Sequence, residues 1–150
     1  MKIRHTESDQ NIRQETTVTL SSTAITFLNE KRYATLATIN NDGAPQQSVM
    51  WYALDGIEIL MNTKRGRLKD RNLINDNRAS ICIEDGYRYL TITGQITMND
   101  DQVVAQADIA ALATRYEGAE KAAQQVESQF GKEERVTLRL SIERVSEHGF

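Results

Sequence analysis

Hydrophobic and polar residues alternate in short stretches along most of the chain, which is the pattern of half-buried strands. The alternation predicts six strands, which cover residues 33–39, 46–54, 57–61, 79–84, 87–98 and 135–142. Asn41-Asp42-Gly43, Asp55-Gly56 and Asp85-Gly86 lie between neighbouring stretches and are typical of tight turns. We therefore expect the first three strands to be antiparallel neighbours and the fourth and fifth to form a second hairpin.

Four segments have helical spacing instead. Ser21 or Ser22 suits the N-cap of a short amphipathic helix that ends near Lys31. The other predicted helices cover about residues 68–75, residues 100–116 and a stretch that ends near Phe130. No linker, repeat or low-complexity segment separates these elements. The pattern thus predicts a mostly β fold, a six-stranded antiparallel barrel with helices at its periphery.

Residues 1–17 are polar and aperiodic, so we expect an N-terminal arm there, followed by one domain over residues 18–150. The length of 150 residues is usual for a single domain. The net charge of -3 argues against binding to nucleic acid. No apolar run reaches the roughly 18 residues that a membrane-spanning helix needs, so we expect a cytoplasmic protein without a membrane partner.

Side chains that ligate metals or form catalytic triads are scarce. Cys82 is the only cysteine, and the two histidines, His5 and His148, lie in the terminal segments. Neither a thiolate metal cage nor a histidine-based triad is predicted, and we expect no metal site. The same observation disfavours haem as the ligand.

Basic residues cluster at 64–71, where Lys64-Arg65-Gly66-Arg67-Leu68-Lys69-Asp70-Arg71 contains five cations and one acid. The segment joins a predicted strand to a predicted helix, and a helix N-terminus exposes unpaired backbone N–H groups. Together with Arg67 and Lys69, these groups can bind a phosphate. The alternative is a solvated basic loop, which is the more common origin of such a run.

Five motifs, in this order and spacing, resemble the pyridoxamine-5'-phosphate-oxidase-like superfamily of FMN- and F-420-binding split barrels. They are residues 34–39 (ATLATI), 42–45 (DGAP), 49–52 (VMWY), 67–73 (RLKDRNL) and 76–80 (DNRAS). Residues 115–118 (RYEG) and the last strand are similar to the branch that uses the deazaflavin coenzyme F-420. The resemblance implies a split β-barrel, a homodimer, and two cofactor sites in the grooves between the subunits.

The resemblance also implies roles for particular residues. Arg67 and Lys69 bind the cofactor phosphate, with Thr63 and Asn72 nearby. Tyr87 reaches the site from the partner subunit. Asn72 can equally be a simple helix or turn residue.

A second group of residues is assigned to the ring and the tail of the cofactor. Ser48, Val49 and Met50 line the tricyclic ring, although the barrel core is an equal alternative for Val49, Met50 and Trp51. The oligoglutamate tail of F-420 is expected to meet the cations Lys64, Arg65, Lys2, Arg4 and Arg13.

We therefore expect an F-420-dependent reductase that passes a hydride from the reduced deazaflavin to an unsaturated small-molecule acceptor. The cofactor supplies this chemistry, so no catalytic residue is assigned, and a proton can come from solvent or from Tyr52, Tyr87 or Tyr89. The alternatives are an FMN-binding reductase or oxidase and an F-420 carrier or sensor without turnover. Oxidation of pyridoxamine phosphate is not expected, because the arginine- and histidine-containing segment that follows the last strand in those oxidases is missing from this sequence.

Overall fold

The structure, a computed structural model, describes residues 18–150, and the predicted N-terminal arm at residues 1–17 lies outside that range. Four helices, one 3₁₀ turn at Phe130–Lys132 and eight strands follow one another in the described part of the chain. The helices are α1 Ser22–Asn29, α2 Leu68–Asn75, α3 Gln102–Glu117 and α4 Ala119–Ser128. The strands are β1 Ala34–Ile39, β2 Pro45–Met50, β3 Ala53–Asp55, β4 Glu58–Lys64, β5 Arg78–Glu84, β6 Tyr89–Asn99, β7 Arg135–Ser141 and β8 Arg144–His148.

Local capping explains where the first and third helices begin and end. Ser21 caps α1, because its hydroxyl oxygen accepts a hydrogen bond from the backbone N of Ala24 at 3.0 Å. Asp101 caps α3 in the same way. Gly118, with a φ of 86°, ends α3 in a backbone conformation that residues other than glycine adopt only at an energetic cost. The predicted helices are confirmed, and α1 ends at Asn29 rather than near Lys31.

All strand pairs are antiparallel, and the order along the sheet is β2-β1-β5-β6-β7-β4-β3, with β8 added beside β6. Met50 and Thr63, from strands near the two ends of this path, line one common groove, so the sheet curls back on itself as a split barrel does. The predicted mostly β barrel with peripheral helices is confirmed. Over residues 18–150, the predicted count of six strands is corrected to eight.

β6 connects the two halves of the barrel. Its first residues pair with β5 and β8, and from Ile96 onward it pairs with β7. Gly94 lies at the changeover, where an added Cβ would be 1.7 Å from the carbonyl oxygen of Ser141. Only glycine permits this close approach of two backbones.

Two features of the strand prediction were wrong. The stretch 46–54 is divided at Trp51-Tyr52 into β2 and β3, which lie at opposite ends of the sheet, so the first three predicted strands are not all neighbours. The reason is that the backbone N of Tyr52 bonds to the Tyr116 hydroxyl oxygen at 3.1 Å instead of to a strand. β8 was missed because its residues are nearly all exposed and show no hydrophobic alternation.

The core fills the inside of the barrel, while α3 covers the outer face of β4 and β7. Residues 135–138 of β7 are consequently buried on both faces rather than alternately. Polar bonds fix the helix there, because Asn62 donates to the Ala105 carbonyl at 2.9 Å and Thr137 donates to Asp108 at 2.7 Å. Within residues 18–150, no helix is long and apolar enough to cross a membrane.

Candidate functional site

A groove of about 190 Å³ opens between the end of β2, strand β4, the start of α2 and helix α3. Charged and polar side chains lie together in one part of its lining, and aromatic and aliphatic side chains make up the rest. The lining residues are Val49, Met50, Trp51, Asn62, Thr63, Arg67, Lys69, Ile109, Leu112, Gln129, Phe130 and Arg135. Five of the predicted cofactor residues meet here, namely Val49, Met50, Thr63, Arg67 and Lys69.

Lys69 is a buried cation in this groove. Its side chain is only 8% exposed, and no carboxylate or hydrogen-bond acceptor pairs with it in the described part of the chain. Burial lowers the pKa of its ammonium group, and the neighbouring Arg67 and Arg135 lower it further. A buried charge without a counter-ion is costly, so the site is suited to an anion that supplies one.

Thr63 adds an unsatisfied hydroxyl to the same groove. It is 2% exposed, and its Oγ1 is buried with no hydrogen-bond partner among the described residues. A buried polar atom of this kind is expensive unless a ligand or water satisfies it. Arg67, exposed at the N-cap of α2, has no side-chain capping bond and is a further donor. Thr63, Arg67 and Lys69 therefore form a receptor for an oxyanion.

Arg135 is a third cation of the groove that the sequence analysis missed. The side chain is 5% exposed, donates to Asn62 Oδ1 at 3.0 Å and pairs with Glu133 at 3.2 Å. Burial lowers its pKa, Glu133 opposes that effect, and Arg67 adds to it. The alternation of β7 places position 135 on the strand face that points away from the barrel core, where side chains are usually exposed. Only the coverage by α3 makes it an inner residue.

Aromatic rings form the other wall. Trp51 stacks on Tyr116 with ring centroids 5.3 Å apart, and it meets Phe130 edge-on at 6.3 Å. The Arg115-Tyr116 pair holds this wall in place, because Arg115 donates to the carbonyls of Tyr52 and of the end of α1. The RYEG motif thus has a structural role here, because it holds the two residues that interrupt the strand between β2 and β3.

The predicted tail-binding cations are already paired. Lys64 lies 3.5 Å from a carboxylate oxygen of Glu133. Arg65 bonds to Asp70 and to Asp100, both at 2.9 Å, and lies 3.7 Å from Glu134. Neither residue lines the groove. Their assignment to the cofactor stays a prediction, but the charge they can offer to a ligand is reduced.

Three further predicted residues lie outside the groove. Asn72 is buried and donates to Thr38 at 3.1 Å and to Asn40 at 2.8 Å, which ties α2 to the end of β1. Ser48 lies in β2 with its Oγ buried and unpartnered among the described residues. Tyr87, in the turn before β6, is 71% exposed and thus accessible to another molecule.

The candidate proton donors differ in accessibility. Tyr52 is fully buried, its hydroxyl donates to the Leu28 carbonyl, and burial raises its pKa to about 12, with a contribution from Tyr116. Full burial and this hydrogen bond keep the Tyr52 hydroxyl away from a bound acceptor, which argues against Tyr52 as the proton donor. Tyr89 is 39% exposed and stacks on His148 at 4.8 Å. Tyr87 and Tyr89 remain candidates.

The groove can therefore hold a ligand that has an anionic group at one end and a flat apolar body at the other. Residues 18–150 contain no cluster of three or more His, Cys, Asp or Glu side chains that could hold a metal ion. A phosphate-bearing organic molecule is the class of ligand that fits the lining.

Comparisons with known proteins identify the family and the fold of the chain. The family described as pyridoxamine 5'-phosphate oxidase matches residues 20–149. A conserved hypothetical protein from Mycobacterium tuberculosis is 29% identical, with a TM-score of 0.74, over 87% of this chain and 85% of that protein. An F-420 reductase is 27% identical, with a TM-score of 0.66, over 81% of this chain and 94% of that protein. HutZ, the haem storage protein from Vibrio cholerae, shares the fold. It is 21% identical, with a TM-score of 0.65, over 83% of this chain and 92% of that protein.

Proposed function

Because the chain belongs to the pyridoxamine 5'-phosphate oxidase family, we propose that it is an oxidoreductase that binds coenzyme F-420. In this proposal, the reduced deazaflavin supplies a hydride to an unsaturated organic acceptor. The observation that carries the proposal is the buried Lys69, unpaired among the described residues, beside Arg67 and the unsatisfied Thr63 hydroxyl. The likeness to an F-420 reductase favours the deazaflavin among cofactors that combine a phosphate with a ring.

The lining residues suit the phosphate group of this cofactor. A phosphodiester would give Lys69 and Arg67 the counter-charge that the described protein lacks, and would accept a hydrogen bond from Thr63 Oγ1. Charge-assisted hydrogen bonds of this type contribute on the order of 1.5–3 kcal/mol each. The phosphate would also relieve the cost of burying Lys69, so binding and desolvation act in the same direction.

The protein's own contribution to the reaction is to position the ring and to exclude water. Met50, Trp51 and Phe130 provide an apolar wall next to the anion receptor. Trp51 is held by its stack on Tyr116, so the wall is rigid before a ligand arrives. The acceptor gains a hydride and a proton, and the proton comes from solvent or from an accessible tyrosine such as Tyr87.

A homodimer would complete the site. One subunit's groove of about 190 Å³ is smaller than the roughly 300–1,000 Å³ of typical cofactor pockets, so a second surface must cover the ring. The strand register places mostly uncharged residues on the outer face of β1, β2, β5 and β6, with Arg78 and Glu84 at the two ends of β5 as the charged exceptions, and these residues are exposed or half-buried. They include Gln47, Val49, Thr35, Ala37, Ile39, Ser80, Cys82, Thr91 and Thr93. A face whose centre is uncharged suits a two-fold interface with a second copy.

FMN is the second candidate, and one observation favours it. Lys64 and Arg65, the cations expected to prefer a cofactor with an acidic tail, are paired with carboxylates. Without them, the anion receptor itself does not distinguish the phosphodiester of F-420 from the terminal phosphate of FMN.

Titration of the protein with each cofactor, followed by fluorescence, tests the proposal. We expect F-420 to bind more tightly than FMN, and the reduced form to be reoxidised when a quinone, an enone or a bilin is supplied. Tight FMN binding without measurable F-420 binding would establish the second candidate. Tight F-420 binding without turnover over a broad acceptor panel would indicate a carrier or sensor.

A further inference from the structure

Helix α4 buries fewer side chains than any other helix in residues 18–150. Ala122 is its only buried residue, whereas α1 buries three residues and α3 buries five. The main neighbours of α4 are α3 and the 3₁₀ turn that follows it. A helix of ten residues is marginal on its own in water, so α4 depends on this small contact.

The observed position of α4 also leaves a polar atom unsatisfied. Gln125 Oε1 is buried and has no hydrogen-bond partner among the described residues. Such an oxygen is costly where it is buried, and water would satisfy it if α4 moved away from its neighbours. The packing of α4 therefore gains little and carries a polar cost.

Non-helical residues flank α4, and the turn beyond it is anchored. Gly118 joins α3 to α4 at a φ of 86°, and nothing lies within 4 Å of an added Cβ there. Gln129 at the other end has neither helical nor strand backbone angles. Next to it, the side-chain amide of Gln106 donates to the carbonyls of Phe130 and Glu133 at 2.8 and 2.9 Å, which ties the turn to α3. A movement of α4 can thus be confined to the segment between Gly118 and Gln129.

This segment covers the aromatic wall of the groove that contains Lys69. Trp51 packs against a cluster that includes Ala122 and Phe130. Because Trp51 is fixed by its stack on Tyr116 of α3, the wall would stay in place if α4 moved. The groove of about 190 Å³ is small for an organic ligand, and a displacement of α4 would widen its aromatic side.

We propose that α4 is a lid that moves about Gly118 and Gln129 and opens the aromatic side of this groove to a flat organic ligand. The structure shows the closed lid. The open lid uncovers Ala113 of α3 together with Ala122 of α4, which pack in one cluster when the lid is closed. This movement would serve F-420 and FMN alike, so it does not depend on which cofactor binds.

Thiol labelling of the free protein tests the movement. The variants Ala122→Cys, Ala113→Cys and Ala24→Cys each place one thiol at a buried position, in a chain in which Cys82→Ala has removed the native thiol. An open lid exposes positions 122 and 113, whereas position 24 belongs to the barrel core. We expect both lid positions to be labelled at similar rates, about tenfold or more faster than position 24.

Two results would overturn the lid. One is protection of position 113 as strong as that of position 24. The other is rapid labelling of position 122 alone, which would show fraying of α4 without exposure of α3.

Gly118→Ala and Gly86→Ala form a matched pair that tests the hinge. Both glycines have a positive φ and nothing within 4 Å of an added Cβ, so each alanine adds backbone strain but no clash. A hinge at Gly118 releases this strain when the lid opens, so Gly118→Ala should raise labelling at 113 and 122, relative to 24, by about fivefold or more. Gly86→Ala should leave these ratios unchanged. Equal effects of the two variants would overturn the hinge.

A dye titration tests whether the open lid widens the groove. Anilinonaphthalene sulfonate combines an anion with flat apolar rings, which are the features that suit this lining. We expect Gly118→Ala to bind the dye about threefold or more tightly than Gly86→Ala. Adding Lys69→Met should abolish the gain, because it removes a cation that faces the sulfonate. Equal affinities in the two glycine variants, or a gain that survives Lys69→Met, would overturn the role of the lid at this groove.

Discussion

The basic loop at 64–71 has one pair of cations before Gly66, Lys64 and Arg65, and another pair after it, Arg67 and Lys69, and the two pairs have opposite surroundings. Before Gly66, Lys64 and Arg65 are held by carboxylates from β6–α3 and from the residues before β7. After it, Arg67 and Lys69 have no carboxylate partner among the described residues and line the groove. Gly66 makes this division possible, because its φ of 91° turns the chain between the two pairs.

Asp70 strengthens the division. Its carboxylate is 1% exposed, accepts from Arg65 at 2.9 Å and from the backbone N of Gly66 at 2.7 Å. The only acid of the loop thus bonds to Arg65, before Gly66, and not to its sequence neighbour Lys69. A run of cations is therefore best judged by where the nearest acids bond, and not by the sum of its charges.

The largest effect should come from the second half of the loop. Lys69→Met and Arg67→Ala should each weaken F-420 binding by about 10- to 100-fold, because each loses a charge-assisted bond worth on the order of 1.5–3 kcal/mol. Calorimetry or a fluorescence titration measures the loss. The melting temperature of the free Lys69→Met protein should stay the same or rise, because a desolvated charge is removed.

Lys69→Arg provides the matched control, since it keeps the charge and should retain most of the affinity. Wild-type affinity in both Lys69→Met and Arg67→Ala would contradict the anion receptor. A large drop in the melting temperature of Lys69→Met would show that the ammonium group stabilises the free fold.

The first half of the loop should give the reverse result. Arg65→Ala leaves the buried Asp70 without its guanidinium partner, and we expect the free energy of unfolding to fall by about 1–3 kcal/mol. F-420 affinity should change by less than threefold. Urea unfolding of Arg65→Ala and of the double variant Arg65→Ala/Asp70→Asn tests whether the unpaired Asp70 carboxylate causes the destabilisation. Asp70→Asn removes that charge, so the double variant should regain part of the lost stability.

Most of the fold could be predicted because it depends on local patterns. Alternation located the strands, and a serine and a glycine marked ends of helices. The errors arose where a distant residue overrides the local pattern. The break after Met50 depends on Tyr116, which lies 64 positions from Tyr52, and β8 is held by its partner β6 rather than by apolar side chains of its own.

The site was only half predictable for the same reason. The prediction that Arg67, Lys69 and Thr63 lie together came from the family resemblance, in which Arg67 and Lys69 belong to the motif at 67–73. Arg135 instead reaches the groove through the packing of α3 on β7. Lys64 and Arg65 could not be distinguished from Arg67 and Lys69, since their carboxylate partners Glu133, Asp100 and Glu134 are distant in sequence.

The pH dependence of F-420 affinity and of stability should show a smaller effect, which depends on Lys69 after Gly66 and not on the cations before it. Burial lowers the pKa of Lys69 below its ordinary value of 10.5, and a bound phosphodiester would raise it again. F-420 affinity should therefore be constant at lower pH and fall several-fold as the pH rises through the lowered pKa. The unfolded protein binds more protons in the window between the lowered pKa and 10.5, so the stability of the free protein should rise with pH there.

Opposite trends of affinity and stability would identify Lys69 as the titrating group. Lys69→Arg should remove both trends, because the guanidinium stays charged over this range. Affinity that rises with pH in the wild type, or an unchanged profile in Lys69→Arg, would assign the dependence to another group.

Lys64→Ala should have the smallest effect of all. The ammonium group is half-exposed and its nearest carboxylate oxygen, on Glu133, is 3.5 Å away, so the pair contributes at most about 0.2–1 kcal/mol to stability. Glu133 keeps its bond to Arg135, which prevents a buried orphan charge. Because Lys64 lies outside the groove and is paired with Glu133, the F-420 affinity of this variant should stay within about twofold of wild type. A loss of F-420 affinity in Lys64→Ala as large as in Arg67→Ala would show that the first half of the loop also binds the ligand, and the division at Gly66 would then be wrong.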